Sequence, residues 1–556
     1  MLDKKRFRLP LLLVLGTIAS LPVSFSSLSA LAFVLMIPAL FLFFGTWCRA
    51  DEKRSFWREY LDGFVFLFGF FLVTFHWLAY LYPLDFVDGM TRPGAVGVVL
   101  AGCLGLPLLQ SAGFAFLFPI LARAARTRMV RRAPILLPFL FGAGWVVFAY
   151  TQTLSWAGVP WGAQLALSQQ DSLLLLSSAS LFGSYFVTFV IAVTNGLLAL
   201  ALLSLLSGKG QIAKMAAILS ASVFLLNFAL SAAVYYLPRE EGDEVKVAVL
   251  QGNFSSAEKW DGSLGMLDAY VALAREAAED GARVVVWPET AIPFGIEHDA
   301  YTLGVLRRLA EETGTTQILG AFSYESDADG KYLRRNSLFL FRPDGSLSDE
   351  IYHKRHLVPF GEYVPMERVI RAVLPFLSDL EMLADGSTLT AGSSPAPFRE
   401  DFGTVGGLVC FDSLYPSLAR ASALAGAELF VLGTNDSWFF DSAAVYQHNG
   451  QAILRAVENG RAVARAANTG ISSIISSRGE VLAEIEPLVA GQATATVTLS
   501  SRLTLYTRIG DTFVLLAQIF FLLPFGISLI TKIAKKQNAL NMVIWKKNCQ
   551  KENLHD

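Results

Sequence analysis

Residues 282–290 read ARVVVWPET, and this short stretch decides the fold class. Three consecutive valines form an apolar run of the β-branched residues that strands favour, and Pro288 ends the run. Glu289 follows directly. Since functional groups of layered α/β proteins collect at the carboxyl ends of strands, Glu289 is a candidate general base. On this motif alone, a helix-capping or surface carboxylate is an equally good interpretation.

Similar runs recur on both sides of this stretch and alternate with helical patterns. The alternation predicts stacked α and β layers over residues 239–511, a stretch long enough for one domain with a substantial core. The predicted strands are 245–251, 283–287, 317–324, 337–342, 405–411, 429–434 and 470–476, and the predicted helices are 264–278, 301–312, 414–425 and 443–465.

A second strand end carries a cysteine. Residues 406–416 read GGLVCFDSLYP, so Cys410 lies between a β-type run and a predicted helix. A helix N-terminus lowers the pKa of a neighbouring thiol and offers backbone N–H donors, which predicts a nucleophile. Of the four cysteines in the chain, only Cys410 falls within 239–511, so it has no partner there for a disulfide. A buried structural cysteine is the alternative.

The third stretch is a loop with no clear helix or strand periodicity. Residues 352–365 read YHKRHLVPFGEYVP and contain Lys354 and Glu362 among prolines, a glycine and two histidines. A lysine here could stabilise an oxyanion, although a solvated surface charge is the alternative. The chain lacks HExxH, GxxxxGK[ST], GxGxxG and GxSxG motifs, which argues against zinc, phosphate, dinucleotide and serine-hydrolase chemistry.

The rest of the chain has a different composition. Hydrophobic residues make up 53% of the whole sequence, charged residues only 17%, and mean hydropathy is +0.47, which indicates a membrane protein. A span needs about 20 mostly apolar residues. Eight stretches meet that test: 9–23, 28–47, 61–81, 95–121, 134–150, 173–206, 212–237 and 512–530. We therefore predict a membrane domain over 1–238, an α/β domain over 239–511, an eighth span over 512–530 and a tail over 531–556.

The charges between the apolar stretches predict the orientation. The two termini and the loops on their side hold 21 Lys and Arg residues, whereas the opposite short loops hold only Arg92. By the positive-inside rule both termini are cytoplasmic, and the α/β domain lies on the outer face. The net charge of −2 gives no reason to expect a nucleic-acid partner.

Glu289, Lys354 and Cys410, in this order and in these settings, resemble the catalytic signatures of the carbon–nitrogen hydrolase (nitrilase) superfamily. Three further segments extend the match: QGNFSSAEKW (251–260), GTNDSWF (433–439) and QHNGQAILRAVENGRAVARAANTG (447–470). With eight predicted spans, residues 1–535 resemble its membrane-integrated branch, the bacterial apolipoprotein N-acyltransferases.

The resemblance implies an αββα sandwich and assigns roles to individual residues. Glu289 would be the general base, Lys354 the oxyanion-stabilising lysine, Cys410 the nucleophile and Glu362 an assisting carboxylate. The residues assigned to substrate contact are Trp260, Trp438, Phe411 and Asp412. The family often has an aromatic residue and then Glu after the nucleophile, so Asp412 is a departure that leaves its own role open.

The resemblance also implies an activity at the bacterial inner membrane. An acyl chain would pass from a phospholipid to Cys410 as a thioester, and then to the α-amino group of a diacylglyceryl-modified apolipoprotein. It implies no metal and no cofactor, and we expect a monomer. The apolar stretch 369–383 is interpreted as a lid or membrane-dipping arm, with a core helix as the alternative.

Two other functions are consistent with part of the sequence. A membrane-tethered amidase would use the same triad on a small soluble amide and would not need eight spans. A non-catalytic membrane sensor would not need Glu289, Lys354 and Cys410 together, and it would not explain their retention.

Overall fold

The computed structural model describes residues 5–48, 54–84, 90–154, 159–238, 242–260, 265–326, 330, 332–359, 361–365 and 388–552. Two parts are distinguished below. The apolar helical region comprises residues 5–238 and the C-terminal helix, and the α/β region lies between them. The predicted arm at 369–383 lies outside the described residues.

The apolar helical region consists of helices of very different lengths. They are α1 (Lys5–Ser24), α2 (Ile37–Trp47), α3 (Phe56–Thr74), α4 (Arg92–Phe114), α5 (Leu117–Ala125), α6 (Arg128–Arg132), α7 (Leu136–Thr151), α8 (Leu173–Leu176), α9 (Ala179–Phe182), α10 (Ser184–Leu206) and α11 (Gly210–Tyr236), with 3-10 helices at Ser26–Phe33, His76–Leu81 and Leu165–Gln169. The last helix of the chain, Thr512–Glu552, continues well past the predicted span end at residue 530.

By length and apolar composition, six helical segments of the described chain could cross a membrane. They are Phe7–Ser24, Ser26–Trp47, Arg92–Ala125, Ser184–Leu206, Gly210–Tyr236 and Thr512–Trp545. Two shorter apolar helical segments, Leu136–Thr151 and Leu173–Phe182, coincide with the predicted span 134–150 and with the first part of the predicted span 173–206. The remaining predicted span falls on α3, whose first turns carry buried Glu59 and Asp62 and are therefore less apolar.

The predicted span 173–206 is not a single helix. The stretch 173–206 breaks at Gly183, which has φ +81°, and α10 starts only after it. The backbone N–H of Ser184 donates to Oε1 of Glu458 in the α/β region at 3.0 Å. The start of α10 is therefore held by a carboxylate far away in the sequence, which periodicity does not reveal.

The α/β region contains two sheets and the helices that cover them. The strands are β1 (Glu244–Gln251), β2 (Val284–Val286), β3 (Ile292–Gly295), β4 (Thr316–Ser326), β5 (Tyr332–Phe341), β6 (Tyr352–His353), β7 (Phe398–Glu400), β8 (Gly403–Val409), β9 (Leu429–Thr434), β10 (Ala462–Ala467), β11 (Ser472–Ile475), β12 (Val481–Ile485) and β13 (Gly491–Thr498). Its helices are α12 (Ser256–Trp260), α13 (Gly265–Glu279), α14 (Ala300–Thr313), α15 (Pro416–Leu424), α16 (Ala443–Asn459) and α17 (Leu505–Ile509), with 3-10 turns at Ile296–His298 and Cys410–Leu414. The C-terminal helix of the apolar helical region, Thr512–Glu552, is α18.

The two sheets stack face to face. The first has the order β13-β1-β2-β4-β5-β6, with β3 paired to β4, and the second has the order β12-β11-β10-β9-β8-β7. The central pairs β1/β2, β2/β4, β8/β9 and β9/β10 are parallel, so their carboxyl ends meet at one edge of each sheet. Buried valines such as Val247, Val286 and Val431 fill the space between the sheets.

Helices cover both outer faces and complete the predicted αββα arrangement. On the first sheet, α13 and α14 pack through a separate cluster that includes Tyr270 and Leu306. On the second sheet, α15 and α16 belong to the same hydrophobic cluster as the apolar helical region, for example through Leu418 and Ile453. The second helix layer therefore lies between the sheet and the apolar helices.

Several element boundaries differ from the predicted ones, and two of these differences bear on the site. The helix predicted over 443–465 ends at Asn459 because Gly460, at φ +63°, caps it in the left-handed conformation. The alanine-rich residues that follow form β10, which pairs in parallel with β9, so tertiary pairing overrides their helix propensity. The strand predicted over 405–411 ends at Val409, and Cys410 starts a 3-10 turn.

Candidate active site

Three loops bring the predicted residues together at the carboxyl edge of the sandwich. Glu289 follows β2, Lys354 follows β6 and Cys410 follows β8. The Nζ atom of Lys354 lies 3.0 Å from Oε1 of Glu289, and both charges act on the Cys410 thiol. The structure therefore places the three residues that the sequence indicated in one cluster.

The Glu289 carboxylate is held at both oxygens. Oε1 accepts from Nδ2 of Asn336 at 2.7 Å, and Oε2 accepts from the backbone N–H of Asn435 at 2.8 Å. Its side chain is 6% exposed. The turn that carries it packs against Gly320, where a Cβ would lie 2.7 Å from the Cα of Glu289. Only glycine lets the two backbones approach this closely.

Lys354 is buried between two carboxylates. Its Nζ lies 2.8 Å from Oε1 of Glu362, in addition to the contact with Glu289, and its side chain is 1% exposed. Although burial alone lowers the pKa of the ammonium, the charges of Glu289 and Glu362 outweigh it and hold the pKa well above its usual range. Two of the three N–H donors face these carboxylates, which leaves one for a reacting oxygen.

Glu362 belongs to the same cluster. Its Oε2 accepts from the backbone N–H of Val358 at 2.8 Å, and its Oε1 accepts from Asn336 at 3.3 Å as well as from Lys354. Asn336 thus bridges the two carboxylates. The arrangement fixes Glu362 beside the lysine and leaves it less buried than Glu289, at 14% side-chain exposure.

Cys410 has an unusual backbone conformation and a thiol with a raised pKa. Its φ is +48°, in the left-handed region that side chains with a Cβ rarely adopt. Burial, followed by the negative charge of Glu289, raises the pKa of the thiol. The predicted lowering is therefore wrong, because burial outweighs any effect of the short turn that begins at Cys410. The thiol needs a base before it can attack.

Asp412 ties the lysine loop to the cysteine turn. Its carboxylate is fully buried and accepts from the Tyr352 hydroxyl at 2.8 Å and from the backbone N–H groups of His356 at 2.8 Å and Val409 at 3.1 Å. Burial raises its pKa to about 6, although these donors favour the charged form. The carboxylate is thus surrounded by protein donors.

The aromatic residues that were assigned to substrate contact occupy different settings. Phe411 is 6% exposed, with its ring centroid 5.6 Å from that of Tyr415, in the cluster shared with the apolar helices. Trp438 is half-buried in the turn after Asp436. Trp260 ends α12, but its side chain lies outside the described parts of the chain.

Sequence reasoning missed a second buried lysine. Lys259 is 2% exposed, and its Nζ donates to the backbone carbonyl of Glu289 at 2.9 Å. Burial lowers its pKa to about 8, although the charges of Glu289 and Cys410 act in the opposite direction. The sequence feature that could have identified Lys259 is its position in the segment QGNFSSAEKW. No sequence feature marks Asn336, because only the fold brings β5 to the site.

Two family models match the chain, and together they cover both of its parts. The carbon-nitrogen hydrolase model matches residues 246–504, and the apolipoprotein N-acyltransferase N-terminal domain model matches residues 15–197. The first match spans the two sheets and all the residues of the cluster described above. The second spans α7 and most of α10.

Curated relatives match across both parts. The apolipoprotein N-acyltransferase of Geobacter metallireducens is 36% identical over 380 residues, or 66% of this chain and 70% of its own. That of Gloeobacter violaceus is 30% identical over 516 residues, or 91% of each chain. That of Methylococcus capsulatus is 32% identical over 464 residues, or 82% of this chain and 84% of its own.

Among solved structures, an amidase from Nesterenkonia sp. is 19% identical. The match has a TM-score of 0.35 and covers 50% of this chain and 97% of the amidase chain.

Proposed function

The chain belongs to the apolipoprotein N-acyltransferase family, and from this premise we propose that it transfers an acyl chain from a phospholipid to the α-amino group of a diacylglyceryl-modified apolipoprotein. One observation carries the proposal. The only thiol of the α/β region lies beside a lysine that is buried between two carboxylates, next to a helix layer that is continuous with the apolar helices.

In the first half-reaction Glu289 accepts the proton of the Cys410 thiol as the sulfur attacks the ester carbonyl of the phospholipid. The remaining N–H of Lys354 and a backbone N–H, for which we propose Phe411, stabilise the oxyanion of the tetrahedral intermediate. The carbon–oxygen ester bond breaks, and the lysophospholipid leaves with the proton held by Glu289. The raised pKa of the thiol makes this base necessary.

In the second half-reaction the free amine of the apolipoprotein attacks the thioester, and Glu289 accepts a proton from it. The carbon–sulfur bond breaks, and the thiolate is reprotonated as the N-acyl product leaves. This is ping-pong transfer through an acyl-enzyme, and its steps require no metal or cofactor. The second carboxylate, Glu362, holds Lys354 in place by the contact at 2.8 Å.

We further propose that the chain has eight spans, with residues 1–238 and 512–530 in the bacterial inner membrane and the tail at 531–556 in the cytoplasm. The α/β domain at 239–511 then faces the periplasm. Trp260, Trp438 and Phe411 are proposed to contact the acyl chain, and the stretch 369–383 to act as a lid over a monomeric enzyme. A site at the membrane surface keeps an acyl chain out of water, at about 0.8 kcal/mol per CH₂.

For Asp412 we infer a positioning role instead of substrate contact. Its carboxylate accepts four hydrogen-bond donors, from Tyr352, Arg355, His356 and Val409, and is fully buried. Three of these donors belong to the segment around Lys354 and one precedes Cys410, so the Asp412 carboxylate holds the loop of Lys354 against the turn of Cys410.

Mass spectrometry of the purified protein after incubation with phosphatidylethanolamine tests the proposal. We expect an acyl-sized adduct on Cys410 that a diacylglyceryl lipopeptide discharges. Cys410→Ser should lack the adduct, whereas Cys48→Ser, which removes an exposed cysteine of the apolar helical region, should retain it. If wild-type protein N-acylates the lipopeptide but forms no adduct on Cys410, the thioester mechanism is refuted.

The amidase alternative is tested in the same preparation. A membrane-tethered amidase would release ammonia from small amides in detergent without any phospholipid, and it would not acylate the lipopeptide. We expect the reverse result.

A further inference from the structure

The turn that holds Cys410 is supported from behind by a buried histidine. His448, on α16, is 1% exposed, and its Nε2 lies 3.2 Å from the carbonyl oxygen of Cys410 and 3.1 Å from Oγ of Ser413. The Ser413 hydroxyl also donates to the Cys410 carbonyl, at 2.9 Å. The backbone of the proposed nucleophile is therefore contacted by two buried polar side chains.

The histidine is itself held by charged partners. Its Nδ1 lies 2.9 Å from Oδ1 of Asp436, and Oδ2 of Asp436 accepts from Arg465 at 2.7 Å. Burial alone would raise the pKa of Asp436, but His448 and Arg465 outweigh it and hold the pKa well below its usual range. An ionised Asp436 accepts from the Nδ1–H of His448, which directs Nε2 towards the cysteine turn. The Sγ atom of Cys410, a carboxylate oxygen of Asp436 and a ring nitrogen of His448 lie within 4.8 Å of one another.

On its other side His448 meets the apolar helical region. The ring centroid of Trp161, which lies between α7 and α10, is 5.5 Å from that of His448, and Trp161 is 4% exposed. Its indole N–H donates to Oε1 of Gln447, the neighbour of His448. The amide of Gln447 in turn donates to the carbonyl of Val23, in α1, at 3.3 Å.

These contacts matter because Cys410 is strained. A residue with a Cβ at φ +48° keeps that conformation only where its surroundings enforce it. The proton transfer to Glu289 depends on the direction of the Cys410 side chain, and that direction depends on the same backbone. Support of the turn is therefore a requirement of the chemistry and not only of the fold.

We propose that Trp161 is a positioning residue that acts through His448 on the backbone of Cys410. The apolar helical region then supplies part of the support of the nucleophile, in addition to any contact that it makes with lipid. The inference rests on the proposed function, in which Cys410 is the nucleophile. It assigns Trp161 no contact with the reacting atoms.

The test uses iodoacetamide, a small reagent that alkylates the Cys410 thiol without first binding at a lipid site. The rate of Cys410 alkylation by iodoacetamide is followed by mass spectrometry in the full-length protein, alongside kcat and KM for acyl transfer. Trp161→Phe keeps an aromatic ring but loses the N–H donor to Gln447, and His448→Gln removes the imidazole. Trp57→Phe, at a position that is 67% exposed, is the matched control.

We expect His448→Gln to slow both alkylation and kcat by about 10- to 100-fold, and Trp161→Phe to slow both by a smaller factor, with KM unchanged. Trp57→Phe should behave as wild type. Because Trp161 is proposed to act through His448, the double variant should be no slower than His448→Gln alone.

Two results would overturn the inference. If Trp161→Phe slows acyl transfer but alkylates at the wild-type rate, the tryptophan contacts substrate only. If the effects of the two substitutions multiply in the double variant, Trp161 does not act through His448. Both results are distinct from a failure of the proposed function, in which wild-type protein forms no acyl adduct on Cys410.

Discussion

The two helix layers of the sandwich occupy equivalent positions but have opposite surroundings. In α14, on the first sheet, 4 of 14 residues are buried, whereas in α16, on the second sheet, 15 of 17 are buried. Each layer contains an ion pair with a 2.9 Å separation. Arg275 and Glu312 are 54% and 55% exposed, and Arg455 and Glu458 are 0% and 1% exposed.

The difference shows what the apolar helical region does to the layer beneath it. The first layer follows the amphipathic rule for a surface helix, with one apolar face and one solvated face. The second layer is covered on both sides, so its polar residues are enclosed and must find partners there. His448, Arg455 and Glu458 are buried charges or polar groups that a solvated helix would expose, and His448 reaches the proposed nucleophile.

The largest expected effect comes from breaking the enclosed ion pair. Glu458→Ala leaves the guanidinium of Arg455 buried without its carboxylate and removes the acceptor of the Ser184 N–H. We expect a loss of about 3–5 kcal/mol in the free energy of unfolding, measured by denaturant titration in detergent micelles. The matched Glu312→Ala should lose less than about 1 kcal/mol. Equal losses would show that the two layers do not differ as described.

Glycines in the two layers give the second test. A Cβ on Gly450, in α16, would lie 1.7 Å from Oε1 of Gln170 in the apolar helical region, whereas nothing lies within 4 Å of a Cβ on Gly304, in α14. Gly450→Ala should lower the free energy of unfolding by about 1–3 kcal/mol through overpacking. Gly304→Ala should raise it by up to about 1 kcal/mol through helix propensity. Changes of the same sign would contradict the assigned contacts.

Lys259, on α12, provides a third test of how a buried charge affects stability. Among the described residues, no carboxylate oxygen lies within 4.0 Å of this buried cation. Its pKa of about 8 is below the usual 10.5, so the unfolded chain binds more protons between these values. Stability should therefore rise with pH across that window, and the full penalty of about 3 kcal/mol applies below pH 8.

Lys259→Met removes this penalty but also the hydrogen bond to the Glu289 carbonyl, which is worth about 1 kcal/mol. At pH 7 we expect the variant to be more stable than wild type by about 1–2 kcal/mol, with the advantage disappearing towards pH 10.5. Denaturation midpoints at a series of pH values measure the difference. A difference that does not vary with pH would refute the assignment.

The smallest effect concerns salt and the exposed ion pair. Arg275→Ala should cost less than about 1 kcal/mol at low salt, and the cost should vanish near 1 M NaCl, where the Debye length is about 3 Å. The cost of Glu458→Ala should persist at the same salt concentration. The free energy of unfolding of both variants is measured at the two salt concentrations. If the cost of Glu458→Ala fell with salt, water would have to reach the second helix layer.

Much of the fold and the main site residues could be predicted along the chain. Glu289 and Cys410 follow short apolar strands, and both the turn chemistry and the strand pattern are local properties. The family comparisons confirm the α/β fold. The end of α16 was missed because the alanine-rich residues that follow it favour a helix, and only their pairing with β9 makes them a strand.

The direction of the thiol pKa was also missed. A strand-to-helix turn suggested a lowered value, but the packed structure buries Cys410 and places the charge of Glu289 beside it. Lys259, Asn336 and His448 were not picked out either, because each comes from a different element and only contact in space relates them to Glu289 or Cys410.

By itself the sequence determined the apolar and α/β parts, the order of the strand-end residues and the chemical types available for catalysis, because these depend on local composition and periodicity. Only the tertiary structure decided the direction of the pKa shifts of those groups and the contacts that fix their positions. Burial, ion pairing and the strained turn at Cys410 arise from long-range packing, and so does the enclosure of α16 by the apolar helices.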